Sequence, residues 1–347
     1  MRLPVDLRSD TVTRPTPAMM AAILGAEVGD DVFGDDPTIV KLEARGAELV
    51  GMEAGLFMAS GTMGNQVAIM THTSLGNEVI VGRPCHIQEH EAGAAAVLSG
   101  VTLVPLDAPT GALDPAVVAA AVRTPDVHHP VTRLLCLECA HSSGAVQPLD
   151  SLRSVMAVAR EREVRVHLDG ARIFNAAHAL GRSAAEVARG ADSVMYCLSK
   201  GLGAPVGSLL CGSRDFIARA RNNRKIVGGG MRQVGLLGAA GLHALEHHVE
   251  RLVEDHERAA RLARILAGVA GIEICEDRRA INMVWFRHEH HGDPLELVRA
   301  MAERQVKIYP PLGGEWRLVT HLDIDDEELA YAGERLVEVF GLGEGRE

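Results

Sequence analysis

VMYCLSKGLGAPVGSLL, residues Val194–Leu210, decides the fold. An apolar run ends at Leu198, Ser199 and Lys200 follow at once, and Gly201 and Gly203 interrupt what comes next. This is the pattern of a strand that runs into a loop with a lysine at its carboxyl end. In an open α/β sheet, ligands bind beyond the carboxyl ends of the strands. A lysine in that place is partly desolvated, which favours its neutral amine, and a neutral amine can form a Schiff base. By itself the stretch also reads as a solvated lysine at a loop start. GLGAPVG (Gly201–Gly207) is a poor nucleotide loop. Its spacing departs from the dinucleotide pattern, Pro205 stands where a helix should begin, and no clear ribose-binding acid follows about 20 residues on.

The preceding strand carries the next part. VRVHLDGARIFNA (Val164–Ala176) ends an apolar run at Asp169 and continues with Gly170 and Arg172. A carboxylate at a strand end can pair with a pyridinium nitrogen and keep it protonated, so that the ring works as an electron sink. Arg172 has the planar fork that grips a substrate carboxylate. The plainer reading is a capping aspartate with a surface salt bridge. Further upstream, MASGTMGNQVAIM (Met58–Met70) places Ser60-Gly61-Thr62 just before an apolar-periodic helix. Free amides at a helix N-terminus suit a phosphate, although Ser60 also reads as an ordinary N-cap. An amine, a carboxylate and a phosphate turn are the three parts that a pyridoxal phosphate site needs.

These motifs sit in a repeating frame. Between Ala54 and Leu210, short apolar runs (Glu78–Val81, Val101–Leu106, Leu134–Leu137, Val164–Leu168, Ser193–Leu198) alternate with helical stretches such as Pro115–Val122 and Leu152–Glu163. That alternation predicts βαβ units and a mainly parallel sheet. A helix is expected from Pro37 to about Gly51. After Ala240 the pattern changes. One long helix from Val234 to Gly268 leads into strands at Ile272–Cys275, Asn282–Arg287 and Trp316–Thr320, with a helix at Pro294–Glu303. The expected architecture is α/β: a large domain over residues 1–240 and a small α+β domain over residues 241–347. A chain of 347 residues agrees with two domains at about 150 residues each.

Composition narrows the class. The net charge of -11 and the scattered basic residues argue against nucleic acid as a partner. No apolar run reaches the roughly 18 residues that a membrane span needs, and no signal peptide is legible at Met1–Asp10, so a cytoplasmic location is expected. Six cysteines, mostly inside apolar runs, predict no structural disulfides. No metal site is expected. His243–His247 matches H-x-x-E-H but reads as a solvated helix face, and His288–His291 reads as a surface turn. Cys136 and Cys139 form one C-x-x-C without a second, and Asp30–Asp36 lacks the calcium-loop spacing.

In order along the chain, DLRSDTVTRP, VGDDVFGDDPT, HLDGARIFNA, CLSKGLGAPVGSLL, RKIVGGGMRQ and RLVTHLD span Asp6 to Asp323. This set resembles the low-specificity L-threonine aldolases, fold-type I pyridoxal phosphate enzymes of the β-eliminating lyase group. The resemblance implies cleavage of L-threonine or L-allo-threonine to glycine and acetaldehyde. It implies Lys200 as the cofactor's lysine, Asp169 on the pyridine nitrogen, and Gly61, Thr62 and Ser199 on the phosphate. Lys225 and Arg232 are expected to reach the phosphate from a neighbouring subunit. His86 is expected to stack on the cofactor ring, and Ser9, Arg172 and Arg317 to hold the substrate carboxylate. His141 is expected near the β-hydroxyl, with His141 or His86 as the base. A homotetramer of site-sharing dimers is implied. Three departures from the family pattern stand out: Cys139-Ala140 in place of Asn-Thr, His90 in place of an aromatic, and Phe33 in place of a tyrosine. The alternative on the same scaffold is β-elimination, racemisation or transamination of a small amino acid.

Overall fold

The apolar runs in the middle of the chain build a seven-stranded sheet in the computed structural model, which describes residues 4–289 and 292–341. His290 and His291 of the expected turn lie outside the described residues. In chain order the strands are β1 (Val5–Asp6), β2 (Ala54–Met58), β3 (Glu78–Arg83), β4 (Thr102–Asp107), β5 (Thr132–Glu138) and β6 (Arg165–Asp169). They continue with β7 (Ser193–Cys197), β8 (Ser208–Gly212), β9 (Ile272–Ile274), β10 (Met283–His288), β11 (Val306–Lys307) and β12 (Glu315–Val319). The central sheet runs β2-β8-β7-β6-β5-β3-β4. Its pairs are parallel except those of β8, which is antiparallel to both β2 and β7. Both faces are covered, so β7 and β8 are buried at every position, and their sequences are continuous apolar runs rather than alternations.

Register positions the site. Glu138 pairs with Asp169, and Asp169 pairs with Met195. The carboxyl ends of β5, β6 and β7 therefore lie side by side, each followed by a loop on the same edge.

The C-terminal part is an antiparallel sheet β12-β10-β9 with flanking helices. Its apolar cluster holds Leu262, Phe286, Trp316, Leu318 and Phe340, and also takes in Val5 and Leu7 from the start of the chain. β1 pairs in parallel with β11, and the Val319 amide donates to the Leu7 carbonyl at 2.9 Å. These bonds draw the Arg8–Thr13 segment across to the edge that carries Lys200.

The single helix expected over Val234–Gly268 is two helices, Gly235–His247 and Leu252–Leu266. The His248 Nδ1–H is tied to the Leu202 carbonyl at 2.7 Å, which turns the chain toward the loop after Lys200. All six cysteines are free and buried. Among the described residues no helix is long and apolar enough to cross a membrane.

Candidate active site

The loop after β7 is short and tied. The Leu198 amide donates to the Gly207 carbonyl at 2.9 Å, and the Gly203 amide to the Lys200 carbonyl at 2.9 Å. Thr13 adds a hydroxyl bond to that same Lys200 carbonyl at 3.2 Å. Gly203 adopts φ +75°, and a Cβ there would meet Leu322 at 2.8 Å; both demand glycine. So fastened, Lys200 lines a cavity of about 180 Å³ together with Gly61, Thr62, His86, Glu138, Asp169, Arg172 and Ser199. Seven positions singled out from the sequence thus meet in one place.

Asp169 sits on the floor, 3% exposed. Its Oδ1 accepts the Ala171 amide at 2.9 Å and its Oδ2 accepts the Asn65 side-chain amide at 2.7 Å. Opposite stands the Gly61–His72 helix. The Ser60 hydroxyl accepts the Met63 amide at 3.1 Å, so Ser60 is the N-cap. The Gly61 and Thr62 amides keep no acceptor among the described residues, and a helix N-terminus favours an anion there. The N-cap at Ser60 is observed, and it leaves the Gly61 and Thr62 amides available to an anion.

Arg172 departs from expectation. Its Nε and Nη2 grip Asp10 in a bidentate pair at 2.8 and 2.7 Å, and both side chains are buried. That edge is not open to a substrate carboxylate, and Nη1 is what Arg172 has left to offer the cavity. Burial alone would raise the Asp10 carboxyl, but the Arg172 guanidinium and its hydrogen bonds hold it well below the usual carboxylate range.

Arg317 is the other cation. It lines a second cavity of about 380 Å³ together with His90, His141, Trp285 and Tyr309, and Ser142 lines both cavities. Its guanidinium lies over the Trp285 ring at 5.7 Å and has no carboxylate partner among the described residues. Burial and the nearby Arg172 charge lower its pKa.

The two histidines differ. His86 donates its Nδ1–H to Glu91 Oε1 at 2.7 Å, which leaves Nε2 without a protein partner among the described residues. The bond to Glu91 raises the His86 pKa. His141 is 1% exposed. Its Nε2–H donates to the Pro84 carbonyl at 2.8 Å, and its Nδ1 accepts from the Ser143 hydroxyl at 2.7 Å and the Ser143 amide at 3.2 Å. Both nitrogens are engaged, and His141 does not line the Lys200 cavity.

Glu138 was not singled out from the sequence. It lines the cavity, accepts the His86 backbone amide at 2.5 Å, and burial with the Asp169 charge pushes it up to about 7. The signal was available: it ends an apolar run as Asp169 does.

Ser9, Lys225 and Arg232 line neither cavity. Ser9 caps the short turn at Asp10–Val12, Lys225 is exposed, and Arg232 pairs with Asp30 at 3.0 Å on the surface. Of the departures, Ala140 faces the Lys200 cavity while Cys139 is core. The His90 ring lies 5.6 Å from that of His86, and Phe33 is 78% exposed.

A family model described as Beta-eliminating lyase matches residues 6–289. The low specificity L-threonine aldolase of Escherichia coli K12 is 47% identical over 328 residues, which is 94% of this chain and 96% of that protein. The solved structure of a Leishmania major threonine aldolase superposes with a TM-score of 0.82 at 21% identity, over 97% of this chain and 100% of that one. A serine palmitoyltransferase from S. paucimobilis with a bound PLP–myriocin aldimine shares the fold, with a TM-score of 0.75 at 16% identity over 97% and 87% of the two chains. With the sequence match running through every strand that shapes the cavity, the chain belongs to the beta-eliminating lyase family, among the low-specificity threonine aldolases.

Proposed function

We propose that this protein binds pyridoxal phosphate and cleaves L-threonine and L-allo-threonine to glycine and acetaldehyde. The observation that carries the reading is the convergence of Lys200, Asp169 and the free amides of Gly61 and Thr62 on one cavity. These residues fit the group: an amine for an aldehyde, a buried anion for a pyridine nitrogen, and a helix N-terminus for a phosphate. When bound, the cofactor supplies an electron sink for the pair left on Cα as the Cα–Cβ bond breaks.

The chain's own residues do the rest. Lys200 would hold the cofactor's aldehyde carbon. Asp169 would keep the ring nitrogen protonated, and Ser199 would join the two amides on the phosphate. Lys225 and Arg232, which do not line the cavity of their own chain, would serve a neighbouring subunit's phosphate in a homotetramer. His86 would lie on the ring face. Arg317, the cation free of a carboxylate, would fix the substrate carboxylate, with Arg172 Nη1 and Ser9 in support. His86 Nε2 is the free acceptor for the β-hydroxyl proton. His141, with both nitrogens engaged, would instead brace the Pro84 turn before His86. A cytoplasmic location belongs to the same reading.

The test offers L-threonine and measures acetaldehyde. Lys200→Ala is expected to lose both the visible cofactor band and turnover. Full aldolase activity in that variant would sink the assignment.

A further inference from the structure

Behind Asp169 runs a ladder of buried polar groups that the proposed mechanism does not use. Asn65 Nδ2 donates to Asp169 Oδ2 at 2.7 Å and to Glu91 Oε1 at 2.8 Å. Asn65 Oδ1 lies 3.0 Å from His167 Nε2, His167 Nδ1 lies 2.8 Å from Ser193 Oγ, and that oxygen lies 2.8 Å from His72 Nε2. Asn65, His167 and Ser193 are each 0% exposed.

The direction of every bond follows from donor chemistry. Carboxylates only accept, so the Asn65 amide nitrogen must face them and its carbonyl must face His167. His167 Nε2 therefore carries the proton. Burial holds the His167 imidazole down at about 4 and that of His72 at about 3, so both are neutral at pH 7. His167 Nδ1 is then an acceptor, Ser193 donates to it, and His72 Nε2–H donates to Ser193. All the donors point toward the two carboxylates. An amide does not pass protons on, so this is an orienting ladder and not a proton wire.

We propose that Asn65 is a positioning residue for Asp169 and Glu91, locked in its amide orientation by the ladder His72–Ser193–His167, and that this lock keeps the cofactor's ring nitrogen protonated. The inference rests on the pyridoxal phosphate reading above. Its physical need is clear. One ring nitrogen of His86 and one carboxylate oxygen each of Glu91 and Asp169 lie within 4.8 Å of one another, and buried carboxylate oxygens that close need hydrogen-bond donors between them. Asn65 gives one N–H to each. Glu91 also accepts from His86 and from the Gln66 amide at 2.5 Å. Among the described residues, Asp169 accepts from Asn65 and the Ala171 amide alone. Loss of the Asn65 donor would leave Asp169 Oδ2 without that hydrogen bond, and the proton shared with the ring nitrogen would move toward this oxygen.

The test loads wild-type, His167→Leu and His167→Gln proteins with pyridoxal phosphate labelled with 15N in the ring. In wild type the 15N shift should report a protonated nitrogen. In His167→Leu it should move toward the neutral value, and the cofactor dissociation constant should rise roughly ten- to hundredfold. Gln offers an amide donor at similar reach, so His167→Gln should restore most of both. Melting of the cofactor-free proteins separates a lost fold from a changed site. If His167→Leu does not fold, Ser193→Ala is read instead, with a smaller shift in the same direction. Wild-type binding with unchanged 15N shift and affinity in the readable variant overturns this inference alone, as does a Gln variant no better than Leu. A wild-type protein that takes up no cofactor overturns the functional reading with it.

Discussion

Arg172 and Arg317 are near neighbours with opposite circumstances, and each predicts its own phenotype. Arg317 lines its cavity without a salt-bridge partner among the described residues, so its charge is available to a substrate. A charge-assisted hydrogen bond contributes about 1.5–3 kcal/mol. Arg317→Leu should therefore lower kcat/KM for L-threonine roughly ten- to hundredfold, chiefly through KM, with melting unchanged; an unaltered KM in steady-state kinetics would refute the role. Arg172 is spent on Asp10, 162 positions away in sequence. Arg172→Leu leaves Asp10 buried with only the Asn282 amide and the Lys200 charge to offset it, a loss of up to about 3–5 kcal/mol, so the melting temperature of the cofactor-free protein should fall. Its pairing could not be read from the sequence, because nothing local in DLRSDTVTRP marks Asp10 as an arginine's partner. Lys200 and Asp169 were legible because each ends an apolar run; Glu138 ends one too, but its run was closed at Leu137. His86 gives the pH dependence. Its pKa is raised by the hydrogen bond to Glu91, and only the form with a free Nε2 accepts a proton. Activity should therefore be present above that raised value and be lost as pH falls through it. Glu91→Gln removes the carboxylate, the His86 value drops, and the acidic limb of kcat/KM should move to lower pH. A limb that stays in place would exclude His86 as the base.

The Gly61–His72 helix shows how an element places atoms that its sequence does not advertise. A Cβ at Gly64 would meet Met195 of β7 at 2.5 Å, and Ser208 of β8 holds the Ser60 carbonyl at 2.7 Å. The helix start is pressed onto the sheet, which is what brings the Gly61 and Thr62 amides to the rim of the cavity. Gly64→Ala should push the helix off, at about 1–3 kcal/mol, and weaken cofactor binding in the same variant. Thermal melting and a cofactor titration read the two effects, and a variant that melts with wild type would refute this packing. The strands β3, β5, β6 and β7 were legible as apolar runs, since burial on both faces removes alternation, whereas β4 lies at the sheet edge with no position buried. The antiparallel direction of β8 was not, because SLLCG (Ser208–Gly212) reads the same either way. Nor was the break after His247. Residues 248–251 contain no glycine or proline, and the turn is made instead by the long-range bond from His248 to Leu202 and by the burial of Leu252.

At the scale of the whole molecule, several large apolar side chains of the protomer stand exposed. Leu24 is 84% exposed, Phe33 78% and Ile226 73%. The loop that carries Phe33 and the segment that carries Lys225 and Arg232 are joined into one surface. The Asp31 amide donates to the Arg232 carbonyl at 3.1 Å, and Asp31 pairs with both Arg221 and Arg224. Exposed apolar surface of this kind marks an interface, and a second copy of the chain is the simplest cover. In that arrangement the two cations at its edge, Lys225 and Arg232, would lie over the partner's phosphate turn and not their own. The prediction concerns mixtures. Lys200→Ala lacks the cofactor lysine, and a Lys225→Ala, Arg232→Ala double variant lacks the two outer cations; each is expected to be nearly inactive alone. Unfolded together and refolded, they should form hybrids in which one site has lost all three groups and the other has none missing. Random pairing makes about half of the dimers hybrid with one good site each, so activity should return to about a quarter of wild type. If each protomer built its site alone, every site in the mixture would remain defective, and the refolded mixture would show only the sum of its parents.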